Sequence, residues 1–168
     1  VAVIHRRNVP GRSASVTAPR TVSIRVAGIA APAGSKSAFP NRKTGGVSVR
    51  DSSKRAKPWQ AVVASAAEDA FAGPLLAGPL HLEIVFTLPR PKGHYGSGRN
   101  AAAVRPSAPI APDVKPDLTK LVRGVEDALT GLVWRDDGQV VSQHTSKVYG
   151  EPAECRIDVS ELRAVPVL

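Results

Sequence analysis

KPDLTKLVRGVEDALTGLVWRDDGQVV, residues 115–141, carries the periodicity and the breakers that set the architecture. Leu118, Leu121, Val122, Val125, Ala128 and Leu129 recur at i, i+3, i+4 and i+7, a spacing that gathers apolar side chains on one stripe of a helix. Asp117, directly after Pro116, is a start signal and Gly131 a stop, so residues 117–130 are predicted to form an amphipathic helix. Its acids are oddly placed: Asp117 at the start, and Asp136-Asp137 in the turn before the next apolar run. A helix of about 14 residues holds its ends roughly 20 Å apart. Asp117 and Asp137 can then meet in two ways. Either residues 131–134 return antiparallel along the helix, at roughly 3.3 Å per residue, or the two acids come together across a subunit interface. Carboxylates that converge repel unless a divalent cation lies between them, and hard oxygen ligands suit Mg²⁺ or Mn²⁺.

Outward from this stretch, LHLEIVFTL alternates apolar and polar residues over Leu80–Leu88, a strand buried on one face. TVSIRVAG, residues 21–28, alternates in the same way. WQAVVASAAEDAF, residues 59–71, is Ala-rich and follows Pro58, with Gly73-Pro74 beyond it, which predicts a second helix. Residues 28–46 read as a loop, 47–50 as a short strand, and 139–149 and 153–159 as closing strands. The long stretch 89–115 is rich in Pro and Gly, and loops of that length are usually functional or disordered. Residues 1–20 lack any period and read as a flexible basic arm, leaving 21–168 as the folded domain. The order β(β)αβαββ predicts an α+β fold: a small mixed sheet with two main helices packed on one face.

The chain has 168 residues, enough for one compact domain, and 42% of them are hydrophobic, enough for a buried core. No apolar run approaches the roughly 20 residues of a membrane span, so no membrane partner is expected. The one cysteine, Cys155, excludes an internal disulfide framework and a cysteine-rich zinc site. With no apolar signal segment in residues 1–10, a cytoplasmic location is expected. Net charge is +9, unevenly spread. Residues 1–57 carry twelve Lys and Arg against one acid, Asp51, whereas residues 58–168 carry eleven against thirteen. A basic half beside a slightly acidic one reads as a polyanion-binding surface next to a site that needs carboxylates. Lys36, Arg42, Lys43, Arg50, Lys54, Arg55 and Lys57 are its candidate phosphate contacts. Aromatic residues make up only 4%, which favours recognition by backbone charge and shape over base stacking. His5, His81, His94 and His144 lack metal-ligand spacing, and neither a Ser-His-Asp or Cys-His arrangement nor a GxxxxGK[ST] loop is present.

Lys115-Pro116-Asp117, Arg123, Asp127-Ala128-Leu129-Thr130-Gly131 and Asp136-Asp137-Gly138-Gln139-Val140 hold a fixed spacing of unlike residues. This block resembles the signature of the RusA family of Holliday-junction resolvases, found largely in phages and prophages, over about residues 21–160. The segment from Gly28 to Lys36 is similar to that family's early Gly-Pro-Ser-Lys loop. The resemblance implies a homodimeric, Mg²⁺-dependent endonuclease that makes paired nicks in four-way DNA junctions, in a bacterial or phage-infected host cell. By position it implies catalytic roles for Asp117, Asp137 and Arg123, with Thr119 standing where the family has its second aspartate. Threonine offers a neutral oxygen that can hold a metal-bound water but removes one charge; Arg for Lys is milder, since either cation orients a phosphate. Asp117, Asp137 and Asp136 are the implied metal ligands, Asp113, Asp136 or Glu83 the substitutes for the missing charge, and Lys115 and Lys120 further phosphate contacts. Two other readings stand beside this one. A branched-DNA-binding protein of the same fold would have weakened or lost cleavage. An interaction protein would use the acids structurally, with Asp117 as an N-cap, Asp127 in a salt bridge to Arg123 or a hydrogen bond to a strand, and Asp136-Asp137-Gly138 as a turn around a core Trp134.

Overall fold

The computed structural model describes residues 18–34, 36–40, 45–51 and 54–162. Every second side chain of β4 (Leu80–Leu88) is buried and those between are half-buried, which makes it the centre of the sheet rather than its edge. To one side lies β6 (Glu154–Glu161), antiparallel, followed by β1 (Thr21–Ala27); to the other lies β5 (Val140–Tyr149), parallel. A parallel neighbour cannot be reached by a hairpin, and the chain makes the crossover through α2 (Leu118–Leu129). The second main helix, α1 (Ala56–Ala70), packs against α2 and β1. The sheet is mixed and both helices cover the same face, the α+β arrangement expected.

The covered face and the helix stripes form one apolar core. Ile24, Leu82, Ile84, Phe86 and Ile157 from the sheet meet Val63, Leu121, Val125 and Leu129 from the helices, and Trp134 closes it, all fully buried. No polar or charged residue is buried among those described, so the core has no buried charge to offset, though the Trp59 indole N–H is buried without a partner among them.

Three local readings change. The expected loop 28–46 contains a strand, β2 (Lys36–Pro40), which forms an antiparallel hairpin with β3 (Val47–Asp51). Five residues ending in proline carry too little alternation to announce a strand. Helix α1 starts at Ala56, so Pro58 lies inside its first turn, where a missing N–H costs no hydrogen bond. The expected antiparallel return of residues 131–134 does not occur. Gly131 takes a positive φ of 85°, its N–H donates to the Trp134 carbonyl at 2.7 Å, and the Val133 N–H donates to Leu129 at 2.9 Å. This tight turn exists because Trp134 is drawn into the core, with its indole N–H donating to Thr130 Oγ1 at 3.2 Å. The chain therefore stays at the C-terminal end of α2. Of the expected basic arm, residues 1–17 lie outside the described residues.

Arg20, just before β1, clasps Glu161 at the end of β6. Its Nη2 lies 2.6 Å from Oε1 and its Nε 3.1 Å away, while its other donors reach the carbonyls of Pro74 and Leu75. The Ala77 N–H also donates to Glu161, at 3.0 Å. The Arg20 hydrogen bond, helped by that of Ala77, lowers the Glu161 carboxyl to about 2 from its ordinary 4.5. A carboxyl depressed in the folded state adds stability above its unfolded value, and loses it as pH falls through the folded one. The stability advantage of the parent over Glu161→Gln is thus expected to hold above pH 4.5 and to vanish between 4.5 and about 2 in urea titrations. Phe86→Ala, a cavity at the sheet centre, should cost about 3–5 kcal/mol in the same assay at neutral pH.

Candidate functional site

The candidate residues collect at the two ends of α2 and along its exposed stripe. At the start, Asp117 occupies the N-cap position, and its backbone carbonyl accepts the N–H groups of Lys120 and Leu121 at 3.1 Å. Its carboxylate does not cap. It pairs instead with Lys120 Nζ at 3.1 Å, with both side chains nearly half exposed, so water screens the pair and leaves it worth little. Lys147 of β5 donates from Nζ to the carbonyls of Val114 and Pro116, each at 2.9 Å. The C-terminal end of β5 therefore lies beside the N-terminal end of α2. Segment 30–34 also runs along this end, with the Ala33 N–H donating to the Lys120 carbonyl at 2.9 Å. Gly124 permits the approach, since a side chain there would already touch the Ala31 and Ala33 backbone. Lys36 follows two residues after this segment, at the start of β2.

At the other end, the Asp136 carboxylate accepts the Gly138 N–H at 2.8 Å, and the Gln139 side-chain oxygen accepts the N–H groups of Arg135 and Asp136. Asp136 is thus engaged as a turn cap, which weakens its case as a metal ligand. Asp137 is exposed, and among the described residues its carboxylate has no hydrogen-bond or ion-pair partner. Its charge reaches Glu126, whose carboxyl is pushed up mainly by burial, against the lowering effect of a hydrogen bond from Gln143, with Asp137 and Asp127 pushing it further up. Asp127 makes neither the salt bridge nor the strand contact expected. It accepts from Gln60 Nε2 of α1 at 3.3 Å, where α1 packs against α2.

Lys54, Arg55 and Lys57 are exposed at the start of α1, where Arg55 borders a groove with Ala27, Gly28 and Ile29 at the end of β1, and Lys115 and Lys120 flank the Asp117 end of α2. Thr119 and Arg123 are exposed between the two ends of α2, one turn apart on the outward stripe. Arg42 and Lys43 lie outside the described residues, and Arg50 falls on β3. Glu83 cannot replace the missing aspartate: it projects from the helix-free face of the sheet, opposite Asp158 and His144. Asp113 is exposed in the loop before α2. Glu126 and Lys147 were not legible as site residues; their only sequence signals are the three-residue step from Arg123 and the strand period, both ordinary for solvated charge.

A twelve-residue α2 holds its ends about 18 Å apart. Exposed carboxylates are suitable donors for a hard cation. Within one chain, however, Asp117 and Asp137 belong to opposite ends, and among the described residues no three His, Cys, Asp or Glu side chains gather closely enough to hold a metal. Among those residues no helix is long and apolar enough to cross a membrane. Cys155 lies in the core, and burial, with the Glu154 charge adding to it, pushes its thiol up to about 12. It is expected to resist aromatic disulfide reagents at pH 8 in the native protein and to react in full once urea unfolds it.

This arrangement can be set beside known proteins. Residues 31–160 match the family model described as Endodeoxyribonuclease RusA. The chain is also 30% identical over 122 residues to the Uncharacterized protein YqaN of Bacillus subtilis (strain 168), an alignment covering 73% of this chain and 84% of that protein. With the family model spanning most of the fold, from the segment along α2 to the last strand, the chain belongs to the RusA endodeoxyribonuclease family.

Proposed function

We propose that the protein is a homodimeric, Mg²⁺-dependent resolvase of four-way DNA junctions whose active sites each combine Asp117 of one chain with Asp137 of its partner. The supporting observation is the placement of the two acids at opposite ends of α2, with Thr119 and Arg123 on the exposed stripe between them and Lys115 and Lys120 beside Asp117. A twofold axis that sets two α2 helices antiparallel brings each Asp117 towards the partner's Asp137, and it does so twice. Two equivalent sites related by a twofold suit a substrate with twofold symmetry and paired scissile phosphates.

In this reading Asp117 and the partner's Asp137 are the residues that would hold Mg²⁺ or Mn²⁺. When bound, the cation would supply Lewis acidity and an activated water. Lys120, now paired with Asp117, is placed to hand that carboxylate over and turn to a phosphate. Arg123 orients the scissile phosphate from the exposed stripe, and the Thr119 hydroxyl donates or accepts one hydrogen bond beside it. Lys115 beside Asp117, and Lys54, Arg55 and Lys57 at the start of α1, hold the arms by their backbone charge, a contribution that weakens steeply with salt.

Cleavage of a synthetic four-way junction against linear duplex, with Mg²⁺ or EDTA, tests the function. The expected result is paired nicks that need the metal, spare the duplex, and fall by at least about a hundredfold in Asp117→Asn and in Asp137→Asn. Mixing these two variants then tests the shared site. Heterodimers regain one intact site out of two, so an equal mixture should recover about a quarter of parent activity as single nicks. No recovery on mixing would place each site within one chain. Tight junction binding without cuts in Mg²⁺ would leave a branched-DNA-binding protein, and no preference for the junction would remove the assignment.

A further inference from the structure

We infer that the cleft between Tyr95 and Tyr149 is a nucleobase site, taking an unpaired base of the DNA strand held at the Asp117 end of α2. The identity of the ligand rests on the resolvase reading, to which the cleft adds a contact with a base beside those with phosphates. The chain has only two tyrosines, far apart in sequence, and the fold brings both to one cleft. Its volume is about 240 Å³, and Arg90, Gly150 and Glu151 complete its walls. The Arg90 guanidinium lies over the Tyr149 ring, 4.2 Å from its centre, and its Nη1 donates to the Pro109 carbonyl at 2.8 Å. His94 meets the same ring edge to face, with centroids 5.6 Å apart. The loop holds Tyr95 in place through a bridge to Val104, with the Gly96 N–H donating to the Ala103 carbonyl at 2.9 Å and the Arg105 N–H to the His94 carbonyl at 2.8 Å. A side chain at Gly96 would lie 2.5 Å from the Asn100 carbonyl oxygen, so this closure needs glycine. The platform is thus assembled before any ligand arrives, which leaves little ordering to oppose binding.

The chemistry of the walls selects a base over a phosphate. Tyrosine rings and guanidinium planes stack flat bases whatever the sequence. Arg90 can only donate hydrogen bonds and an ionised Glu151 can only accept them, and every base offers partners for both along its pairing edge. A carboxylate in the wall repels a bare phosphate. Cations for the backbone stand around the cleft instead: residues 89–115 carry Arg90, Lys92, Arg99, Arg105 and Lys115 against Asp113 alone, and all of these cations except Arg90 are exposed. The slightly acidic balance of residues 58–168 conceals this basic loop. The low aromatic content conceals the platform in a similar way, since a percentage counts rings and only the fold brings two of them together. The position matches the ligand. Tyr149 lies two residues, roughly 7 Å, along β5 from Lys147, whose ammonium holds the carbonyls of Val114 and Pro116 beside Asp117. A strand engaged at Asp117 has the cleft within reach, and a base at a branch point, where stacking is interrupted, costs less to unstack than one inside a duplex.

Binding measured in EDTA, where no strand is cut, tests the cleft apart from cleavage. A short oligothymidylate and an abasic strand of equal length carry the same phosphate charge and differ only in their bases. At one salt concentration the parent should bind the oligothymidylate at least about fivefold more tightly, the low end of what stacking one base contributes. Tyr149→Leu should lose that preference while its affinity for the abasic strand stays unchanged, and Tyr149→Phe, which keeps the ring, should retain it. Equal binding of the two strands by the parent, or a preference that survives Tyr149→Leu, would overturn the inference. If Tyr149→Leu loses the abasic strand as well, Tyr95→Leu decides, because Tyr95 lies on the loop outside the sheet: its loss of preference supports the cleft and its retention overturns it. Junction cleavage by the parent with Mg²⁺ is scored separately. Paired cuts without a base preference would sink the cleft and leave the resolvase reading standing, and a base preference without cuts would do the reverse.

Discussion

The parallel pairing of β4 with β5 is the constraint from which the rest of the site follows. Two parallel neighbours leave the chain on the wrong end of the sheet, and only a crossover about as long as the strands returns it. Here α2 is that crossover. Its length is set by the strands it spans, its buried stripe by the sheet beneath, and its outward stripe by whatever is left. The residues entering and leaving it, Asp117 and Asp137, are thereby kept at opposite ends. If the two act together, as proposed, the scaffold that carries them also separates them, which ties the proposed dimer to the proposed chemistry.

The electrostatics follow from the same packing. The core holds no charge among the described residues, so the charged groups described here lie on the surface, where their strength depends on how much water they keep. The Asp117–Lys120 pair is open to solvent and screened by it, so it holds the two side chains weakly. The Arg20–Glu161 clasp is the opposite case. It is drier and multiply bonded, tying the β1 and β6 termini to the α1–β4 connection. Electrostatic stability is concentrated at that clasp, where β1 begins and β6 ends, while the α2 stripe stays exposed.

Much of the fold was legible because it is written in period. The alternation of Leu80–Leu88 and the i, i+3, i+4 spacing after Asp117 each state an element, its hydrophobic face and roughly its length. β2 was missed because Lys36–Pro40 relies on its partner β3 for pairing and shows no alternation of its own. The return of residues 131–134 was misread for a related reason: nothing local says that Trp134 will be buried and close the turn. The site was legible as residues, through the block from Lys115 to Val140, but its geometry was not. Glu126 and Lys147 gain their places from Gln143 and Pro116, contacts seventeen and thirty-one residues distant along the chain.

By itself the sequence determined the α+β class, both helices, the principal strands, the basic and acidic halves, and the family's motif block, because these depend on local spacing and composition. Tertiary structure alone decided that β5 lies parallel to β4 at the edge of the described sheet, that Asp136 serves as a turn cap while Asp137 has no partner among the described residues, and that Asp117 and Asp137 stand a helix apart. Strand order and side-chain partnership are set by burying one shared core. That is a property of the whole chain at once, and no window of residues contains it.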